Sequence, residues 1–136
     1  MIIEVDDVRQ FLLDRSPGDN FLLDDVEFDN NTILSGLRWV SDLYNTQAPF
    51  VDTYTMDNFP YRAEAIMGAA AFCLRAMAMN MARNEAQAQT QGGTQLRDKA
   101  KAGIYLQLAS EVSSEMKGRL AAIKIAKNVE ACYRIV

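Results

Sequence analysis

Apolar residues recur along this chain at intervals of three and four, the period of helices lying on a core. In residues 4–15, EVDDVRQFLLDR, they are Val5, Val8, Phe11 and Leu12, with acids between them. Ser16-Pro17-Gly18-Asp19-Asn20 ends that helix with turn chemistry, and Phe21-Leu22-Leu23 is a short apolar anchor in the connection. A second stripe runs over 30–45 through Ile33, Leu34, Leu37, Val40, Leu43 and Tyr44, with Trp39 on its flank. Asp29 is placed to cap it, and Phe28 to staple onto Ile33. Gln47-Ala48-Pro49 closes it, because the residue before proline resists the helical region. Residues 50–58 alternate instead, through Phe50, Val51, Tyr54 and Met56. That segment is either a loop or a strand completed by another chain, since a lone strand needs a partner.

The stretch 59–84, FPYRAEAIMGAAAFCLRAMAMNMARN, is apolar on nearly every side. Pro60 suits a first helical position. Such a helix must be covered all round, by its own chain, by neighbours or by lipid. Arg62, Glu64, Arg75 and Arg83 interrupt it, and Arg75 would lie near a bilayer's middle. A core helix covered by protein is the better reading, and no membrane partner is expected. Ala63, Ala65, Gly68, Ala69, Ala70 and Ala71 allow other helices close approach. The Gln-rich run 85–95, broken at Gly92-Gly93, reads as a polar connection or tip. Asp98 can cap a last helix over 98–125, with Ile104, Leu108, Val112, Met116, Leu120 and Ile123 stepping mainly by four. It would pack antiparallel on the central helix. In KNVEACYRIV, 127–136, apolar residues alternate, which predicts an extended arm. Val129, Ala131, Tyr133, Ile135 and Val136 then either dock on a partner or lie over the chain's own helices. The expected fold is all-α: an antiparallel bundle of about four helices with extended loops, residues 1–126, and a C-terminal arm, 127–136.

Charge adds an asymmetry. The net charge of −4 and a pI near 4.8 argue against general nucleic-acid affinity. Residues 1–60 carry twelve acids and three arginines, a net of −9, and residues 61–136 a net of +5. Either the halves neutralise each other in one fold, or an acidic part of one subunit meets a basic part of the next, a head-to-tail contact that can close a ring. Candidate inter-subunit residues are Asp24, Asp25, Glu27, Trp39, Arg97, Lys99 and Lys101. Trp39 reads first as a core or interface anchor. Arg97, Lys99 and Lys101 could also face DNA phosphates in a channel, although a solvated helix start or a salt bridge explains them as well.

Candidate chemistry is sparse. Histidine is absent, which removes the commonest acid–base catalyst and metal ligand. Cys73 and Cys132 lack metal or redox spacing. Asp24, Asp25 and Glu27 lack the spacing of a calcium loop. No phosphate-binding glycine loop, dinucleotide motif or nucleophile elbow is present. The start, MIIEVDDVRQ, has no basic region and apolar core of a secretory signal, so synthesis in the cytoplasm is expected. The sequence predicts no catalytic residue, no metal and no cofactor.

A family pattern runs through roughly residues 8–125. Glu27-Phe28-Asp29 caps a helix that ends in Tyr44-Asn45 before Pro49; Phe59-Pro60-Tyr61-Arg62 opens one with Met67-Gly68-Ala69-Ala70-Ala71. Arg83-Asn84-Glu85 leads into the Gln/Gly run, and Asp98-Lys99 with Lys101 precedes Tyr105-Leu106 and Leu108-Ala109. The chain resembles the head–tail connector (adaptor) proteins of tailed-bacteriophage necks. The Gln-rich run and the terminal Tyr133-Arg134-Ile135-Val136 depart from the pattern. The resemblance implies a helical bundle located in the virion neck. It implies a ring, usually of twelve subunits, beneath the portal, extending the channel for passing DNA and meeting the next neck or tail protein. Alternatives are another neck or tail-completion component (head closure or tail terminator), or, outside viruses, a cytoplasmic helical regulator.

Overall fold

The computed structural model describes residues 3–14, 28–88 and 95–135. Among them are four helices and no strand: α1 Val5–Leu12, α2 Asn30–Thr46, α3 Arg62–Ala88 and α4 Gln95–Ile135. The fold is all-α, as the periodicity predicts. The acidic segment 15–27, with Asp24, Asp25 and Glu27, lies outside the described residues, as do Gly92-Gly93 and Val136.

α3 lies at the centre and packs against α1, α2 and α4. Its length and apolar composition over Arg62–Asn84 would suffice to cross a bilayer, yet here three helices lie on it. Arg62, Ala63 and Ile66 share a groove with Val112, Glu115 and Arg119, while Ala71 and Arg75 share a cleft with Ala109 and Ser113. Rising numbers in α3 meet falling numbers in α4, so the pair is antiparallel. Met116 and Leu120 are fully buried between the helices, each contributing about 1.5–3 kcal/mol of apolar burial.

α2 crosses α3 closely because the contact residues are small. A Cβ on Gly36 would stand 3.0 Å from the Ala69 backbone, and one on Gly68 would collide with the Val40 side chain. Gly36 therefore costs some helix propensity and permits this approach. Asp29 caps α2 as expected, accepting a bond from the Thr32 amide at 2.8 Å. α1 is held by a buried pair: Arg9 lies 3.2 Å from Asp14 and donates to Asn30 Oδ1 at 2.7 Å, and Asp14 accepts from the Phe28 amide. α1 ends on Leu13 at φ 56°, a left-handed position that costs a side chain about 1 kcal/mol or more.

Four expectations change. α3 begins at Arg62, not at Pro60: Tyr61 supplies the first carbonyl, accepting from the Ala65 amide at 3.0 Å. Phe59 and Tyr61 are held in an aromatic cluster, which keeps the exposed Pro60 outside the helix. α4 starts at Gln95, so Asp98 falls inside its first turn. The Gln-rich connection is shorter than 85–95, because α3 continues to Ala88. The C-terminal segment 127–135 is helical rather than extended. Its alternation of Val129, Ala131, Tyr133 and Ile135 also places pairs four apart, no Gly or Pro intervenes, and elongating an existing helix is far easier than starting one.

Residues 50–58 form no strand, and the backbone of Tyr54 is met by a side chain. Asn45 donates to the Tyr54 carbonyl at 2.7 Å and accepts from the Tyr54 amide at 2.9 Å. Within this chain the segment is a loop.

Candidate functional site

The densest polar chemistry in the described molecule fastens α4 to the end of α2. Lys124 continues the Met116–Leu120 stripe by one more step of four, so it points into the core and is fully buried. Its ammonium donates to the carbonyls of Tyr44 and Gln47 and lies 4.3 Å from the Tyr44 ring centre. A cation at a helix C-terminus satisfies carbonyls left without partners and matches the helix dipole. Burial pulls the Lys124 ammonium below its usual pKa, with the Asp52 charge opposing.

One turn later, Lys127 pairs with Asp52 and donates to the Tyr54 hydroxyl at 3.0 Å. Asp52 also accepts from the hydroxyls of Tyr44 and Tyr54. Burial lifts the Asp52 carboxyl, but the bonds from Lys127, Tyr44 and Tyr54 together outweigh it and hold the group below the usual range. For Lys127 burial acts downward and is outweighed by its bonds to Asp52 and Tyr54, leaving the ammonium above its usual value. The Tyr44 phenol is raised, chiefly by burial and then by its bond to Asp52. Tyr44, Tyr54, Phe59 and Tyr61 wall this cluster with ring centres 5.5–6.2 Å apart. Lys124, Lys127, Asp52, Tyr44 and Tyr54 are bonded to one another or to the end of α2, so the cluster is a latch between elements.

Beyond the latch α4 runs on for two turns. Val129 is 47% exposed and Tyr133 78% exposed, with Ile125 at 58% on the same side. Ala131 is half-buried. The side chain of Ile135 lies outside what the structure describes. Of the hypothesised docking residues, Val129 and Tyr133 therefore lie on the outward side of a helix end and not on an extended arm.

The other predicted contact residues are scattered. Trp39 is half-buried, its ring centre 6.1 Å from that of Phe72 and 6.0 Å from the Lys117 ammonium. With Arg75 and Ser113 it borders a small cleft between α2, α3 and α4. Lys101 is exposed and lies over the Tyr105 ring at 5.3 Å. Arg97 and Lys99 belong to the first turns of α4, with side chains outside the described set. Along α4, Lys101 and Val129 are separated by about 42 Å of helix axis, so the basic cluster and the docking end are not one site. Sequence reading missed Lys124 and Lys127 as joining elements, although the four-residue step from Leu120 to Lys124 was there to find. Among the described residues no group of three or more Cys, Asp or Glu is placed to hold a metal. Comparison with protein-family models, with curated proteins and with solved structures finds no match to this chain.

Proposed function

We propose that this chain is a non-enzymatic structural protein of a tailed-phage neck, a head–tail connector that assembles as a ring beneath the portal, extends the DNA channel and joins capsid to tail. The observation that carries this reading is the end of α4. A bundle whose central helix is packed by three others still extends a helical end past its latch, with Val129 and Tyr133 turned outward. Amphipathic helix ends of this kind are built to lie in a groove of another protein. The charge partition between the two halves and the family resemblance support an assembly role. The partners under this reading are further copies of the chain, the portal and the next neck or tail protein.

The test is co-sedimentation with portal assemblies encoded in the same genome. Wild type is expected to co-sediment. The double variant Val129→Glu/Tyr133→Glu should bind about tenfold or more weakly, with unchanged helical circular dichroism because both residues are exposed. Full binding by the variant removes the helix end from the account, and failure of wild type to bind removes the connector reading.

A further inference from the structure

α4 carries a second line of exposed residues, apolar at both ends, on the side opposite the core. Ile104, Leu108, Glu111, Glu115, Gly118, Ala122, Ile125 and Val129 follow one another at alternating steps of four and three. At 100° per residue they fall within an arc of about 100°. Ala109, Met116, Leu120 and Lys124, which face the bundle, lie on the other side of the helix. Every member of the line is exposed: Ile104 58%, Leu108 42%, Ile125 58% and Val129 47%, with open space around Gly118. Its large apolar members form two pairs, Ile104 and Leu108 at one end and Ile125 and Val129 at the other, with Glu111, Glu115, Gly118 and Ala122 between them; the four-three spacing is that of the facing positions of two packed helices.

We propose that the free protein pairs with a second copy of itself through this seam, α4 against α4, in antiparallel orientation. The charges decide the direction. Parallel pairing would lay Glu111 on Glu111 and Glu115 on Glu115 at the middle of the seam, a repulsive contact. Antiparallel pairing about a twofold between Met116 and Lys117 sets Ile104 against Val129 and Leu108 against Ile125 of the second copy. It sets Glu111 against Ala122, and Glu115 against Gly118, where the adjacent Arg119 of the second copy can reach it. Within one chain Arg119 already bonds Glu115 at 2.7 Å, so the pairing extends an existing charge pair across the twofold. Gly118 and Ala122 leave room for the acids and for close approach of the two helices, typically 8–10 Å between axes. The seam spans about 37 Å of helix on each copy. This pairing goes beyond the neck reading and needs no portal. It covers Val129, so the free dimer would hold part of the proposed docking end out of reach until assembly.

Light scattering and oxidative cross-linking test it. Wild type should show twice the 15.2 kDa chain mass. Leu108→Glu/Ile125→Glu should be monomeric with unchanged helical circular dichroism. In a Cys132→Ser background, Ile104→Cys and Val129→Cys proteins should form disulfide-linked dimers when mixed and not when oxidised separately; Cys73 is buried and silent. A wild type that remains monomeric at about 100 µM overturns the proposal. So does self-linking of either single-cysteine protein, which would mean parallel pairing.

Discussion

Cys73 and Cys132 share a side chain and differ in everything around it. Cys73 is fully enclosed where α3 meets α2, and burial, aided by the Asp29 and Asp14 charges and opposed by Arg9, pushes its thiol up to about 12. Cys132 is exposed near the end of α4. Since the thiolate is the reactive form, a thiol reagent at neutral pH should titrate one cysteine in the native chain and two after unfolding in guanidinium. Rapid reaction of both in the native state would mean that the α2–α3 contact opens readily. The sequence made Cys73 readable as a buried apolar residue, because it sits in an unbroken apolar run. It did not make Lys124 readable in the same way. A lysine on a core stripe is ordinarily solvated at a helix margin, and only the tertiary placement of the α2 carbonyls tells that this one turns inward.

At the scale of elements, helix identity was legible, as were both ends of α2, whereas the ends of α3 and α4 were not. The stripes of α1, α2 and the middle of α4 fix those helices by period alone, and Asp29 fixes the start of α2 through its cap. The start of α3 is decided by the packing of Phe59 and Tyr61 against Tyr44, a contact between segments that no local pattern contains. The last turns of α4 fit a period of two as well as one of four, and cooperativity with the preceding helix decides between them. The latch joining α4 to the 47–58 loop makes a pH prediction. Asp52 is held below its unfolded pKa, so its contribution to stability is present above about pH 4 and is lost as pH falls through its lower folded value. Asp52→Asn should lower stability at pH 7 by about 1–3 kcal/mol, the cost of weakening charged hydrogen bonds. It should also flatten the fall of stability below about pH 4 in urea titrations. Lys127 acts at the opposite limit: raised in the fold, it stabilises below its unfolded pKa of about 10.4, and that contribution fades as pH rises further. An unchanged acid limb in the Asp52 variant would show that the latch does not bear on folding.

For the whole molecule, the charge partition divides between two uses. Arg62 with Asp7 and Lys127 with Asp52 join the basic second half to the acidic first half within one chain, so part of the asymmetry serves folding. The outward line of α4 and its helical end are exposed and take no part in that neutralisation. The surfaces were partly legible, since Val129 and Tyr133 stand out as apolar residues in a polar-flanked terminus. Whether such residues cover their own core depends on where the helix goes, which only the fold settles: they face outward. On the proposed connector reading, the chain assembles on a portal. Native mass spectrometry of wild-type protein mixed with portal assemblies tests it most directly. The expected result is a discrete complex with one ring of bound copies per portal, twelve by the family resemblance. A portal spectrum unchanged by saturating protein would contradict it.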